Sequence, residues 1–222
     1  MKFEVRRTAE YVEILKNEAD SLFEANEDLD LALIGGLPSQ EFYSNRRKRI
    51  TSDIDIASRD DKIVRRLKEN EYKIFYNDSL KKYSARRCDP PIHIDIYPRS
   101  LGVYKWDEEF FERRVQPEGW SLLISSVEDL LALKMLAYLA SGMGKRKHLI
   151  DIYSIIIGPY EIDLKFLKNR VKKLSRETHI PYPNLIESAL KEDEKALQQF
   201  SPKERRFIVS EIKRIKQELR SR

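Results

Sequence analysis

The sequence predicts an α/β (α+β) fold in two parts, with strands and helices mixed over residues 1–125 and an all-helical region over 126–222. Three observations carry this. Short isoleucine- and tyrosine-rich runs with period-two alternation cluster in the first part, bounded by Gly, Asn-Asp and Asp-Pro turn signals. From Ser126 onward the apolar residues recur at helical spacing instead. Hydrophobic residues make up 41% of the 222 and charged residues 36%, which suits a packed core under a charged surface and not a disordered chain.

The elements follow in order. Residues 8–25 place Tyr11, Val12, Ile14, Leu15, Ala19, Leu22 and Phe23 at helical spacing, with Thr8 available as N-cap. LALIGG reads as a short buried strand ending in Gly35 and Gly36, and DIDIAS as the next strand. RDDKIVRRLKEN is a helix with Ile63, Val64 and Leu67 on one face. YKIFYN, KKYSARR and IHIDIYP are strands separated by turns at Asn77-Asp78 and Asp89-Pro90-Pro91. Gly102 marks a further turn, and WDEEFFERRV is a short amphipathic helix. Beyond it, SVEDLLALKMLAYLAS carries a capping pattern at Ser126 and Asp129. GKRKHLIDIYSIII, DLKFLKNRVKKLS and the stretch from Pro183 onward are helical in pattern.

Composition excludes several classes. Cys88 is the single cysteine, so neither an intramolecular disulfide nor a cysteine zinc site is available, and three histidines make a histidine zinc site a poor fit. The opening MKFEVRRTAEY has no apolar run of signal-peptide kind, and the longest apolar stretch is broken by Glu128, Asp129 and Lys134. A soluble, cytoplasmic protein with no membrane partner is the expectation. The net charge of +5 permits a polyanionic partner without demanding one.

Two carboxylates stand out. Asp53 and Asp55 alternate with Ile54 and Ile56, so on a strand both point to one face. Like charges so placed repel and resist desolvation unless a cation neutralises them. Oxygen ligands on a strand suit Mg²⁺, completed by water and substrate phosphates. IHIDIYP repeats the alternation and puts Asp95 on a face with His93 and Tyr97, so Asp95 is the candidate third carboxylate and His93 a residue packed beside it. Gly35 and Gly36 end the preceding strand, where backbone N–H groups can approach a phosphate.

LIGGLPSQEFYSNRRKRITSDIDIAS with IHIDIYP resembles the nucleotidyltransferase superfamily with the DNA polymerase β-like palm, and more finely the nucleotidyltransferase toxins of the AbiEii and MenT type. Arg49-Ile50-Thr51-Ser52-Asp53-Ile54-Asp55 fits their Arg-x-Ser/Thr-x-Asp-Ile-Asp element, and SVEDLLALKMLAYLASGMGKRKHLIDIYSI places Lys134 and Asp151 at the matching positions. The likeness covers residues 30–157. It implies a palm with a mixed sheet followed by helices. It also implies transfer of a nucleotide from an NTP, with two Mg²⁺ ions, or Mn²⁺ in their place, and loss of pyrophosphate.

By this resemblance Asp53 and Asp55 bridge the metals and the triphosphate. Asp95 holds the metal beside the attacking hydroxyl and can accept its proton, and Lys134 contacts phosphate. Gly35, Gly36, Ser39, Arg49, Thr51, Lys134 and Asp151 complete the nucleotide-binding set. The chain departs from the family pattern directly after the glycines, where Leu37 and Pro38 stand before the next hydroxyl, Ser39. Arg46-Arg47-Lys48-Arg49 is a basic run placed to meet NTP or RNA phosphate, and Asp151 is also spaced to pair with Lys147 on a helix surface. The implied acceptor is RNA, foremost a tRNA end, or a protein hydroxyl, with a cognate antitoxin as partner. A non-catalytic nucleotide- or RNA-binding module and an antibiotic-modifying nucleotidyltransferase share the same core and stay open.

Overall fold

The computed structural model describes residues 8–99 and 106–221. The turn expected at Gly102 lies outside the described residues. The chain divides into two compact units, Met1–Pro38 with Ile50–Ser126, and Ser39–Arg49 with Val127–Arg222.

The first unit is built on a mixed five-stranded sheet. Its elements are α1 (Ala9–Glu24), β1 (Leu31–Ile34), β2 (Ile54–Ser58), α3 (Lys62–Glu69), β3 (Lys73–Asn77), β4 (Lys82–Cys88), β5 (Pro91–Pro98) and α4 (Glu108–Glu112). A six-residue helix, α2 (Gly36–Glu41), follows β1, and the division between the units falls inside it. The strand order is β1-β2-β5-β4-β3. Only β2 and β5 run parallel; the other three pairings are antiparallel. β4 and β5 form a hairpin closed by Asp89-Pro90, so Arg86 pairs with His93, Ser84 with Asp95 and Tyr83 with Ile96.

Alternation then sorts the sheet's two faces. Ile54, Ile56, Ile92, Ile94 and Ile96 are all fully buried, which forces Asp55, His93 and Asp95 onto the opposite face. The outer edge of β1 is covered by residues 123–125: Leu33 N–H donates to Leu123 O at 2.7 Å and Ser125 N–H to Leu33 O at 3.0 Å. Thr8 caps α1 as its sequence predicts, accepting from Tyr11 N–H, and Tyr11 Oη donates to Pro91 O at 2.7 Å.

The second unit is helical. It contains α5 (Val127–Ala140), α6 (Lys147–Ile156), α7 (Leu164–Thr178), α8 (Tyr182–Ala189), α9 (Glu194–Leu197) and α10 (Pro202–Arg220). α5 is buried almost all round and has α6, α7 and α8 packed about it. Its charged residues are therefore paired inside. Asp129 accepts from buried Arg170, and Glu128 Oε1 accepts from Asp163 N–H at 2.9 Å. The stretch from Pro183, expected as one helical region, is broken into pieces by two N-caps, Asp193 and Ser201. Ser201 forms a full capping box with Glu204 ahead of Pro202.

Residues 39–49 belong to this helical unit for a local reason. A Cβ on Gly158 would lie 2.1 Å from Tyr43 O, so the two backbones touch where only glycine fits. Asn45 Nδ2 donates to Ile157 O at 2.8 Å, and the Tyr43 and Tyr160 rings meet edge to face with centroids 5.0 Å apart. A single boundary near residue 125 does not foresee this excursion.

Candidate active site

The first unit gathers its carboxylates on two neighbouring strands, with a hydroxyl from a third. The paired residues Asp55 on β2, Asp95 on β5 and Ser84 on β4 form one row on one face. Asp53 precedes β2 and shares that face with Asp55. Thr51, itself buried, donates its hydroxyl to Asp53 Oδ1 at 3.2 Å and so orients it. Ligand atoms of Asp53, His93 and Asp95 all lie within 4.8 Å of one another. His93, expected to pack beside the site, offers an imidazole nitrogen to it. Nε2 is buried and lies 3.2 Å from Asp95 Oδ1, an ion pair when the ring is protonated. A buried ring nitrogen against two carboxylates suits a divalent cation. The donor set therefore fits the metal that the resemblance implies.

Gly35 serves Asp55. Its φ is +82°, and a Cβ there would fall 2.0 Å from Asp55 Oδ2. The glycine is thus required by the close approach of the carboxylate as well as by its left-handed backbone. Gly36 begins α2.

Asp95 carries a feature that the sequence reading missed. Lys82, on β4 and 9% exposed, places its ammonium on Asp95 Oδ2, while Ser84 donates its hydroxyl to Oδ1 at 2.6 Å. Burial alone raises the pKa of Asp95, but His93, Lys82 and Ser84 outweigh it and hold the carboxyl well below the usual carboxylate range. The signal was present in KKYSARR. Lys82, Ser84 and Arg86 alternate, and a two-residue Asp-Pro connection sets them opposite the polar face of IHIDIYP.

The second unit assembles the other expected residues around Asp151. Arg49 grips it with two bonds, Nε to Oδ1 at 2.7 Å and Nη2 to Oδ2 at 2.6 Å. Lys134 Nζ donates to Oδ2 at 2.7 Å. Gln40, not anticipated, donates to Asp151 Oδ1 at 2.9 Å and accepts from the backbone N–H groups of Lys48 and Arg49, which anchors the basic run to the helices. Asp151 is fully buried, so the alternative of a helix-surface pair with Lys147 does not hold. Burial raises its pKa, and Lys134 and Arg49 bring it below the usual range. His148 is pushed down to about 4 by burial first, then by Lys134 and Lys147.

The remaining basic residues are mostly engaged. Arg47 pairs with Glu41 through two bonds and Lys48 with Glu204 at 2.7 Å, whereas Arg46 is exposed. Arg47, Lys48 and Arg49 of this run thus each meet a carboxylate of the second unit. Ser39 is fully buried, so its hydroxyl does not face solvent as a phosphate ligand would. Among the described residues no helix is long and apolar enough to cross a membrane.

Residues 27–216 match the family described as nucleotidyl transferase AbiEii toxin, type IV TA system. No curated protein matches the chain. Among solved structures, JHP933 from Helicobacter pylori is similar over 93% of this chain and 92% of its own, with a TM-score of 0.54 and 17% identity. A second H. pylori structure, named as a "putative nucleotidyltransferase", aligns over 92% of this chain and 96% of its own at a TM-score of 0.42 and 15% identity. At such identity the first of these speaks to the fold, a mixed sheet with a helical region behind it.

Proposed function

The chain belongs to the AbiEii nucleotidyl transferase toxin family, and from that premise we propose that it is a divalent-metal-dependent enzyme that moves a nucleoside monophosphate from an NTP to an acceptor hydroxyl. The acceptor is an RNA end, tRNA foremost, or a protein hydroxyl. The protein acts in the cytoplasm as the toxin of a type IV toxin–antitoxin pair and has a cognate antitoxin as partner.

The observation that supports this is the convergence of Asp53, His93 and Asp95, whose ligand atoms lie within 4.8 Å of one another, with Asp55 paired to Asp95 on the neighbouring strand. Asp53, His93 and Asp95 are the residues that would hold the ion, with Asp55 beside them; Thr51 and Gly35 fix Asp53 and Asp55. A bound divalent ion supplies charge neutralisation on the triphosphate and Lewis acidity at the phosphorus being attacked. Oxygen ligands favour Mg²⁺, and the imidazole makes Mn²⁺ an equal fit. In the transfer the acceptor oxygen bonds to the α-phosphorus as its bond to the bridging oxygen of pyrophosphate breaks. Arg49 and Lys134 both lie against Asp151, which aims them, and we assign the phosphate contacts to these two side chains.

The test is incubation with each labelled NTP, Mg²⁺ or Mn²⁺, and total RNA. Label in RNA is expected for at least one nucleotide. Label on protein alone moves the acceptor to a protein hydroxyl, and label nowhere under any condition overturns the reading.

A further inference from the structure

We propose that Lys82 is a resident cation of the carboxylate site, taking the place beside Asp95 that a second divalent ion would occupy, so that the site holds one divalent ion and not two. The inference rests on the metal-dependent reading above and deepens it.

Three observations lead there. The first is position. β5 lies between β2 and β4, so Asp95 has the Asp53 and Asp55 carboxylates on one side and Lys82 on the other. The second is saturation. Asp95 Oδ2 takes the ammonium of Lys82 and Oδ1 takes the hydroxyl of Ser84, so both oxygens are already engaged on the β4 side. The third is burial. Lys82 is 9% exposed and Asp95 4% exposed. An ion that claimed the β4 side of Asp95 would have to drive a buried ammonium from its only carboxylate contact among the described residues and leave it uncompensated, at high cost.

Lys82 also lies against Tyr97, with Nζ 5.3 Å from the ring centroid and 3.5 Å from its hydroxyl. The ring holds the ammonium over the sheet by cation–π attraction while it reaches Asp95. Lys82 is thus a positioning residue. It engages the β4 side of the Asp95 carboxylate, and it limits how many ions the site accepts.

Equilibrium dialysis counts the ions directly. The full chain is dialysed against Mn²⁺ with each of the four α,β-methylene nucleoside triphosphates in turn, and the excess Mn²⁺ on the protein side is measured. The expected count is one per chain for the wild type and two for Lys82→Met, which frees the β4 side of Asp95. Lys82→Arg retains a cation and keeps the count at one. A wild-type count of two overturns the inference and leaves the metal-dependent reading standing. A count of one in a folded Lys82→Met variant also overturns it. A count of zero with all four analogues overturns both. The wild-type measurement needs no variant and decides the matter even if Lys82→Met does not fold.

Discussion

Each unit clasps an aspartate with a lysine, and the two clasps differ in their charged neighbours. In the first unit one lysine meets Asp95 while Asp53 and Asp55 stand on the same sheet face, so the carboxylates outnumber the lysine. In the second, one aspartate meets both Lys134 and Arg49, so the cations outnumber the carboxylate. On the function proposed above, the same pairing chemistry serves a cation in one place and an anion in the other. What decides is the count of neighbours and not the pair itself. The settings differ in the same sense. The sheet site leaves Asp53, Asp55 and His93 partly accessible, as an exchanging ion requires, while Asp151 is wholly enclosed and serves to aim its two cations.

The largest effect should follow from removing the surplus on the sheet. Asp53→Asn or Asp55→Asn is expected to lower nucleotide transfer by at least about a hundredfold to a thousandfold, in the range seen when a preorganised electrostatic group is lost. Circular dichroism should show the fold unchanged, since the substitution relieves repulsion. Gly35→Ala should match this loss without touching a charge, because its Cβ displaces the Asp55 carboxylate. Wild-type transfer rates in these variants would dissolve the contrast between the two clasps.

In the enclosed cluster the same exchange should strike stability first. Asp151→Asn leaves Arg49 and Lys134 facing each other with no carboxylate between them. Breaking one side of a buried charge network costs about 3–5 kcal/mol. Urea denaturation should show a midpoint shift of that size, far beyond the change at Asp53. A midpoint equal to that of the Asp53 variant would mean that Asp151 is not the keystone of the second unit.

The fold was largely legible because its strands are short, alternating and punctuated. Ile54, Ile56 and the isoleucines of IHIDIYP declare one buried face, and that declaration places Asp55 and Asp95 opposite. Lys82 was missed although its alternation with Ser84 was in plain view, since only the hairpin register sets it against the polar face of β5. The excursion of residues 39–49 was not legible at all. It depends on Gly158 touching Tyr43 O, a contact more than a hundred residues away along the chain. The Asp151 cluster was half legible. The resemblance names Lys134, Arg49 and Asp151, but no periodicity states that they meet in one buried point with Gln40. Ser39 was named from motif position, and its burial follows only from packing.

A pH titration sharpens the comparison at smaller amplitude. His148 lies beside the surplus cations, and its folded pKa of about 4 is below the ordinary 6.5. The unfolded chain therefore takes up the proton first. The contribution of this group is fully present above about pH 6.5 and is lost progressively as pH falls toward about 4. His148→Gln should flatten the stability curve across that window and leave it unchanged above. Asp95 and Asp151 behave in the lower window. Their folded pKa values are depressed, so their stabilisation is present above the unfolded value near 3.9 and is lost as pH falls through the folded one. Equal slopes for wild type and His148→Gln between pH 4 and 6.5 would place the histidine outside the field of Lys134.

The smallest effect concerns the basic run that joins the two units in sequence. Arg47, Lys48 and Arg49 are each committed to a carboxylate of the second unit, Glu41, Glu204 and Asp151. Arg46 is exposed, and its backbone shares two hydrogen bonds with Ser44 Oγ. If an RNA acceptor meets this run, Arg46 is the side chain able to offer charge without first losing a partner of the kind its neighbours hold. Each phosphate contact removed lowers the slope of log affinity against log salt by about 0.7 for a single strand. Arg46→Ala should therefore weaken RNA binding slightly, reduce that slope by no more than this amount, and leave stability within about 0.5 kcal/mol, as is usual at exposed positions. Arg47→Ala should act the other way round, with a measurable stability loss from the broken Glu41 pair and little change in slope. A larger slope change for Arg47 than for Arg46 would show that RNA pulls Arg47 off Glu41, and would place part of the positive surplus on the loop and not only at Asp151.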